Sequence, residues 1–272
     1  MVNQAIGFID SGIGGITVVR EALRQLPNET VYYVGDTARM PYGPRPVDEV
    51  IEYTWQMVKF LLTKNIKMLV IACNTATAAA LPSLQKKLAI PVIGVIAPGV
   101  RGALKATVNK HIGIIATEGT VKSNAYVNRL KAKNPNIVTS QLACPEFVKI
   151  VEANQYATVT TQEVVTKKLA FFNDKNIDTL VLGCTHFPLL ADVIKNAMGS
   201  QVSLVNSGAV AVENVSAMLD ELQLNNSGKK SLPDEYFTTG DANSFKQMAG
   251  HWLNNQNLDV SHLEITKKGL VL

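Results

Sequence analysis

The sequence predicts an α/β protein of two similar lobes. Each lobe is a parallel sheet flanked by helices, the two are related by a pseudo-twofold axis, and the functional site lies in the cleft between them. Three observations predict this. Short Ile/Val-rich runs alternate with longer stretches of helical periodicity, the rhythm of a parallel sheet covered on both faces. The rhythm restarts near His111. Finally, LVIAC at Leu69 to Cys73 resembles LVLGC at Leu180 to Cys184, and IGFIDSG from Ile6 resembles IGIIATE from Ile112. Similar signatures at similar spacing are the mark of an internal duplication.

The elements follow in order. Ala5 to Ile9 reads as a buried strand, and the Gly-rich Ser11 to Gly15 leads into a helix from Ile16 to Leu26, stopped by Pro27. Val31 to Val34 is a second strand. Val47 to Thr63 carries apolar residues at Val47, Val50, Ile51, Val58, Leu61 and Leu62, the pattern of an amphipathic helix. Met68 to Ala72 and Pro91 to Ile96 complete the first set of strands. In the second set, Ile112 to Ala116 is a strand, followed by a polar turn at Thr117 to Thr120 and a helix. Strands are expected again at Thr179 to Leu182 and Val202 to Val205. After Val205 come a helix from Val210 to Leu224, an exposed polar linker from Asn225 to Pro233, a strand from Tyr236 to Thr239 and a short helix after Asp241. This tail is expected to return to the first lobe. Residues 1–97 with 208–272 then form the N-terminal lobe and 98–207 the second.

Bulk properties narrow the function classes. The chain has 272 residues, 47% hydrophobic and 18% charged, which is globular composition with room for a large core. The net charge of +4 comes from scattered Lys and Arg with no basic run among aromatics, so no nucleic-acid partner is expected. The apolar runs are strand-length, so no membrane span is expected. Cys73, Cys144 and Cys184 are odd in number and far apart, which argues against a disulfide framework or a zinc site. Met1 to Ala5 has neither a charged nor a long apolar leader segment, so a cytoplasmic location is expected.

Open parallel sheets bind ligands outside the carboxyl ends of their strands. Asp10-Ser11, Cys73-Asn74-Thr75, Thr117 and Cys184-Thr185-His186 all stand at such ends. Two facing lobes would put a thiol on either side of one substrate. Inverting a stereocentre by proton transfer needs a base on one face and an acid on the other. A thiol serves as either, since its ordinary pKa of about 8.5 is readily tuned. A helix N-terminus behind each strand end would favour the thiolate, with Asp10 and His186 as partners of Cys73 and Cys184 respectively. Any single cysteine at a strand end is more often a small buried hydrophobe; pairing across the repeat reverses that for Cys73 and Cys184, whereas Cys144 keeps the structural reading. The loop DSGIGG at Asp10 to Gly15 also imitates a dinucleotide fingerprint. Thr17 stands where the third glycine belongs, however, and Asp10 would set a negative charge beside a pyrophosphate.

These residues together resemble the glutamate racemases of the aspartate/glutamate racemase superfamily. The matching motifs are DSGIGG from Asp10, Asp36 with Pro41-Tyr42-Gly43, ACNTA around Cys73, Ala143-Cys144-Pro145 with Glu152, GCTHFP around Cys184 and FTTGD ending at Asp241. The resemblance covers nearly the whole chain. It implies interconversion of L- and D-glutamate without pyridoxal phosphate or metal, supplying D-glutamate for peptidoglycan. Cys184 would take the proton from L-glutamate and Cys73 from D-glutamate, assisted by Asp10, Glu152 and His186. Ser11, Pro41, Tyr42, Gly43, Asn74, Thr75, Thr117 and Thr185 would hold the substrate with Asp10 and His186. A homodimer is also implied. The sequence departs from the family at Asn206, where Asp is frequent before Ser-Gly, and at Ala97, where a larger or acidic residue is common. The rival readings are a sister enzyme acting on aspartate, a non-catalytic binding module, and a nicotinamide oxidoreductase.

Overall fold

A computed structural model of the chain describes residues 2–156 and 158–272. The first lobe opens with β1 (Ile6–Asp10), α1 (Ile16–Gln25), β2 (Val31–Gly35), α2 (Val47–Thr63), β3 (Met68–Ile71), α3 (Asn74–Lys87) and β4 (Val92–Gly94). The second comprises α4 (Ile96–Ala106), β5 (His111–Ala116), α5 (Glu118–Lys122), α6 (Ala125–Lys133), β6 (Val138–Ala143), α7 (Pro145–Glu152), α8 (Val159–Leu169), β7 (Thr179–Gly183), α9 (Ala191–Met198) and β8 (Ser203–Asn206). Then follow α10 (Ser207–Glu221), β9 (Glu235–Thr238), α11 (Ala242–Leu253), β10 (Val260–His262) and a hairpin of β11 (Glu264–Thr266) with β12 (Gly269–Val271).

The duplication read from the sequence is present in the topology. The first sheet runs β10-β9-β2-β1-β3-β4 and the second β6-β5-β7-β8, every pairing parallel. Matching β1 to β5, β2 to β6, β3 to β7 and β4 to β8 makes the shared order identical. The tail extends the first sheet, β9 pairing with β2 and β10 with β9. In each sheet the strand order reverses between the first and third strands, which is where such folds open a crevice.

Both faces of each sheet are covered, which is why its strands read as unbroken apolar runs. Along β1 to β3 the side chains alternate between two cores. Ile6, Phe8, Val31, Tyr33, Met68 and Val70 belong to one, and Ile9, Tyr32, Val34, Leu69 and Ile71 to the other, under α2 and α3. The first core is continuous between lobes: Ile13 and Ile16 share it with Leu182, Phe187 and Val212. Among the described residues no helix is long and apolar enough to cross a membrane.

Several expectations are corrected. Thr117 to Thr120 is not a free turn. Thr117 is extended and caps α5, whose first residue, Glu118, suits the positive end of a helix. The fourth strand ends at Gly94, and Ile96 already begins α4. The helix expected from Val210 starts at Ser207, because Asn206 Oδ1 accepts from Gly208 N and Ala209 N at 3.0 and 3.2 Å. Asn206 therefore performs as a neutral N-cap. Strand β6 has no apolar signature of its own, since it is a half-exposed edge built on Thr139, Ser140 and Gln141.

The 225–233 linker is largely exposed but anchored at Asn226, whose backbone N–H donates to Glu29 Oε1 at 2.8 Å. Glu29 Oε2 lies 2.6 Å from Lys67 Nζ, an ion pair by distance though not aligned as a hydrogen bond. Lys67 Nζ also donates to the carbonyls of Val2 and Leu224, both at 2.7 Å. This buried knot ties the N-terminus, β3 and the end of α10 together. Removing one member of a buried ion pair strands the other charge, at a cost of about 3–5 kcal/mol. Lys67→Met is accordingly expected to lower the melting temperature by roughly 10 °C, measured by thermal denaturation, and Glu29→Gln with Lys67→Met to recover part of it.

Candidate active site

The crevices of the two sheets face one another. Asp10 ends β1 and Ser11 follows it, and Cys73 follows β3; Thr117 follows β5, and Cys184 follows β7. Ser11, Pro41, Tyr42, Gly43, Cys73, Asn74, Thr75, Thr117, Cys184, Thr185 and His186 line one narrow, partly open cavity of about 20 Å3, joined by Met40, Val148 and Gly183. Asp10 lies beneath it, fully buried. Glu152 is outside it, at the end of α7, where it pairs with His186 and lines an adjoining pocket with Pro41, Gly43, Thr117 and Val148. Cys144 is buried and lines none of this cavity.

The two cysteines sit differently. Cys73 is the N-cap of α3, and its Sγ accepts from Ala76 N at 3.4 Å and lies 3.6 Å from Ser11 Oγ. Burial, reinforced by the Asp10 carboxylate, pushes its thiol up to about 12 despite those contacts. Cys184 has no α-helix behind it, contrary to expectation: a short 3-10 turn, Phe187–Leu190, intervenes before α9. Its partner is instead His186, whose Nδ1 is 3.7 Å from Cys184 Sγ. Nε2 of the same ring is 3.2 Å from Glu152 Oε1, close enough for ion pairing without hydrogen-bond alignment. Burial alone would lower His186, but Cys184 and Glu152 overcome it and raise the ring to about 10. The imidazole therefore carries its proton at neutral pH. Such a group stabilises the fold fully below its ordinary value near 6.5, and that contribution is lost as pH rises through about 10. The melting temperature is expected to fall across that alkaline window, and His186→Asn to flatten the fall, as read by thermal melts at a series of pH values.

Asp10 belongs to both lobes' chemistry. Its Oδ2 accepts from Gly12 N at 3.2 Å and Gly15 N at 3.0 Å, while Oδ1 receives a long contact of 3.4 Å from Thr185 Oγ1. Burial holds its carboxyl above the usual range, against the opposing pull of His186 and these amides. The Gly-rich loop is thus folded around its own carboxylate and the second lobe. Thr17 Oγ1 donates to the Thr185 carbonyl at 2.8 Å, so the residue that spoils the dinucleotide fingerprint binds the Cys184 segment.

The loop carrying Pro41, Tyr42 and Gly43 is pinned by Asp36, a buried carboxylate that accepts from the Tyr42 hydroxyl, from Arg39 Nε at 2.8 Å and from Thr239 Oγ1 at 2.7 Å. The Tyr42 hydroxyl is therefore committed to the scaffold, which leaves backbone groups to face the cavity. Thr75 Oγ1 meets Thr117 Oγ1 at 2.8 Å and Thr120 Oγ1 at 3.3 Å, a hydroxyl cluster across the cleft. Thr120 and Tyr126 escaped the sequence reading. Each is buried on its helix and bonds a residue of the other lobe, Thr75 and Asn74 respectively. Among the described residues no cluster of three or more His, Cys, Asp or Glu is arranged to hold a metal ion.

Two lobes of one topology thus each place a cysteine, Cys73 and Cys184, on the wall of one shared cavity. The chain belongs to the Asp/Glu/Hydantoin racemase family, whose pattern it matches over residues 6–215. Within it the chain falls among the glutamate racemases. It is 54% identical to the glutamate racemase of Carnobacterium sp. (strain St2) across 97% of its own length and the whole of that relative. A crystal structure of a glutamate racemase isoform from Bacillus anthracis superimposes with a TM-score of 0.94 at 40% identity, covering 97% of this chain and 99% of that one. The glutamate racemase of Francisella tularensis in complex with D-glutamate gives 0.89 at 35% identity, covering 96% and 98%.

Proposed function

We propose that the chain interconverts L- and D-glutamate by proton transfer at Cα between two cysteines, with no cofactor. The observation that carries this is the placement of Cys73 and Cys184 at equivalent points of two identical sheet topologies, both lining one cavity. Cys184, beside the imidazolium of His186, takes the α-proton of L-glutamate as a thiolate. Cys73, held as a neutral thiol by burial, gives its proton to the opposite face. The turnover leaves a Cys184 thiol and a Cys73 thiolate, the state that accepts D-glutamate, and the reverse transfer regenerates the first. Asp10 serves the Cys73 side, while Glu152 acts through His186.

The walls suit a dicarboxylate. Backbone amides of the Ser11 and Pro41 to Gly43 loops, the hydroxyls of Ser11, Thr75, Thr117 and Thr185, and the Asn74 amide surround the cavity. Fixing both carboxylates while Cα sits between two sulfurs lowers the barrier by orientation. Preorganised donors in a water-poor site also stabilise the charge that develops when the α-proton leaves. A role in supplying D-glutamate for peptidoglycan, in the cytoplasm and as a homodimer, rests on the family resemblance.

The deciding experiment is incubation of purified protein with L-glutamate in D2O with no added cofactor. Optical activity should decay to zero while deuterium enters at Cα. Retention of optical activity with glutamate, and its loss with aspartate, would move the substrate to the sister enzyme's.

A further inference from the structure

Asn74 lines the cavity and carries an unfinished amide. It lies in the first turn of α3, directly after Cys73, and is only 3% exposed. Its Oδ1 accepts from the Tyr126 hydroxyl at 2.7 Å, while Nδ2 is buried with no partner. Tyr126 stands on α6 in the second lobe and is completely buried. Burial raises its phenol well above the usual range, so the hydroxyl keeps its proton and remains a donor. A primary amide has its acceptor and its donors on opposite arms, so fixing Oδ1 also fixes the direction of Nδ2. Buried donors are almost always satisfied, and one left open on a cavity wall calls for an acceptor on whatever fills the cavity.

We infer that Tyr126 is a positioning residue. It grips Asn74 Oδ1 and so aims Nδ2 at a carboxylate of the bound substrate. Because the two residues belong to opposite lobes, the amide is aimed only when the lobes are closed. Tyr126 thereby couples closure to the arrangement beside Cys73. The identity of the acceptor rests on the proposed racemase reading; the orientation of Asn74 does not.

Tyr126→Phe removes the hydroxyl and keeps the ring that packs against Ile114 and Leu130 in the same core. An interaction made equally with ground and transition states lowers KM alone. The expected result is a KM for glutamate raised about tenfold, the effect of one lost hydrogen bond, with kcat within about a factor of two. In the Asn74→Ala background the same change is expected to add nothing, since residues acting through one another are not additive. A purely structural tyrosine would give additive losses, and that outcome overturns the inference. A second measurement stands apart from glutamate turnover. The Asn74 side-chain amide signals, identified in 15N spectra by their absence from Asn74→Ala, are expected to be resolved and sharp in the wild-type protein and broadened in Tyr126→Phe. Unchanged amide signals would overturn the inference, even for a protein that acted on another acid. Failure of the wild-type protein to racemise glutamate would overturn the substrate reading and leave the spectra to decide the role of Tyr126.

Discussion

Cys73→Ala and Cys184→Ala are each expected to abolish racemisation, by about a thousandfold or more, while leaving proton exchange on one face of the substrate. The magnitude follows from removal of a general acid or base, which typically contributes 10²–10⁴ in rate. The asymmetry follows from the two environments. Cys73→Ala keeps Cys184 with its His186 partner 3.7 Å away, so L-glutamate in D2O should gain deuterium at Cα with its configuration retained. Cys184→Ala keeps Cys73 with Ser11 and the N-terminus of α3, so exchange should appear with D-glutamate instead. Both thiols are small and buried, and alanine enters either place without a clash, so the fold is expected to survive. NMR of the α-proton, read beside polarimetry, separates exchange from inversion. A single-cysteine variant that still inverted glutamate near the wild-type rate would show that one group serves both faces, and the two-sulfur mechanism would be wrong.

The reason so much of the site was legible lies in where parallel sheets keep their polar residues. Strands buried on both faces leave unbroken apolar runs, so Asp10, Cys73 and Cys184 stand out as the first polar or reactive side chains at the carboxyl ends of β1, β3 and β7. The repeat made two of them equivalents. What stayed hidden is what depends on the meeting of the lobes. Tyr126 bonds Asn74 across 52 positions and Thr17 bonds Thr185 across 168, and no periodicity marks such pairs. The 3-10 turn Phe187–Leu190 behind Cys184 also carried no mark, since Pro188 stands in its first turn just as Pro145 stands in the first turn of α7, where a regular helix does begin. Edge strand β6 was invisible for the opposite reason to β1, because half its surface faces solvent and its residues are polar.

Gly14→Ala is expected to cost about a hundredfold or more in kcat/KM while the protein stays folded. The backbone at Gly14 does not require glycine for its dihedral angles; what requires it is the neighbour. A Cβ there would sit 2.3 Å from Thr185 Oγ1 and 2.6 Å from both Cε1 and Nδ1 of His186. The segment that must retreat therefore carries the residues adjoining Cys184, and the Thr17 to Thr185 bond at 2.8 Å holds it against the loop. Displacing a catalytic group by about 1 Å is enough to cost about a hundredfold, whereas overpacking itself costs only about 1–3 kcal/mol of stability. Gly228→Ala is the control, since a Cβ there meets only Asn226 Oδ1 at 3.6 Å, and no change in rate is expected. The outcome also bears on the loop's likeness to a dinucleotide cradle. A methyl at Gly14 that spares glutamate turnover would mean the glycines are not there to admit Thr185 and His186. A methyl that destroys turnover with little change in melting temperature assigns the loop to closure: the glycines clear the path by which the second lobe delivers Cys184 to the substrate.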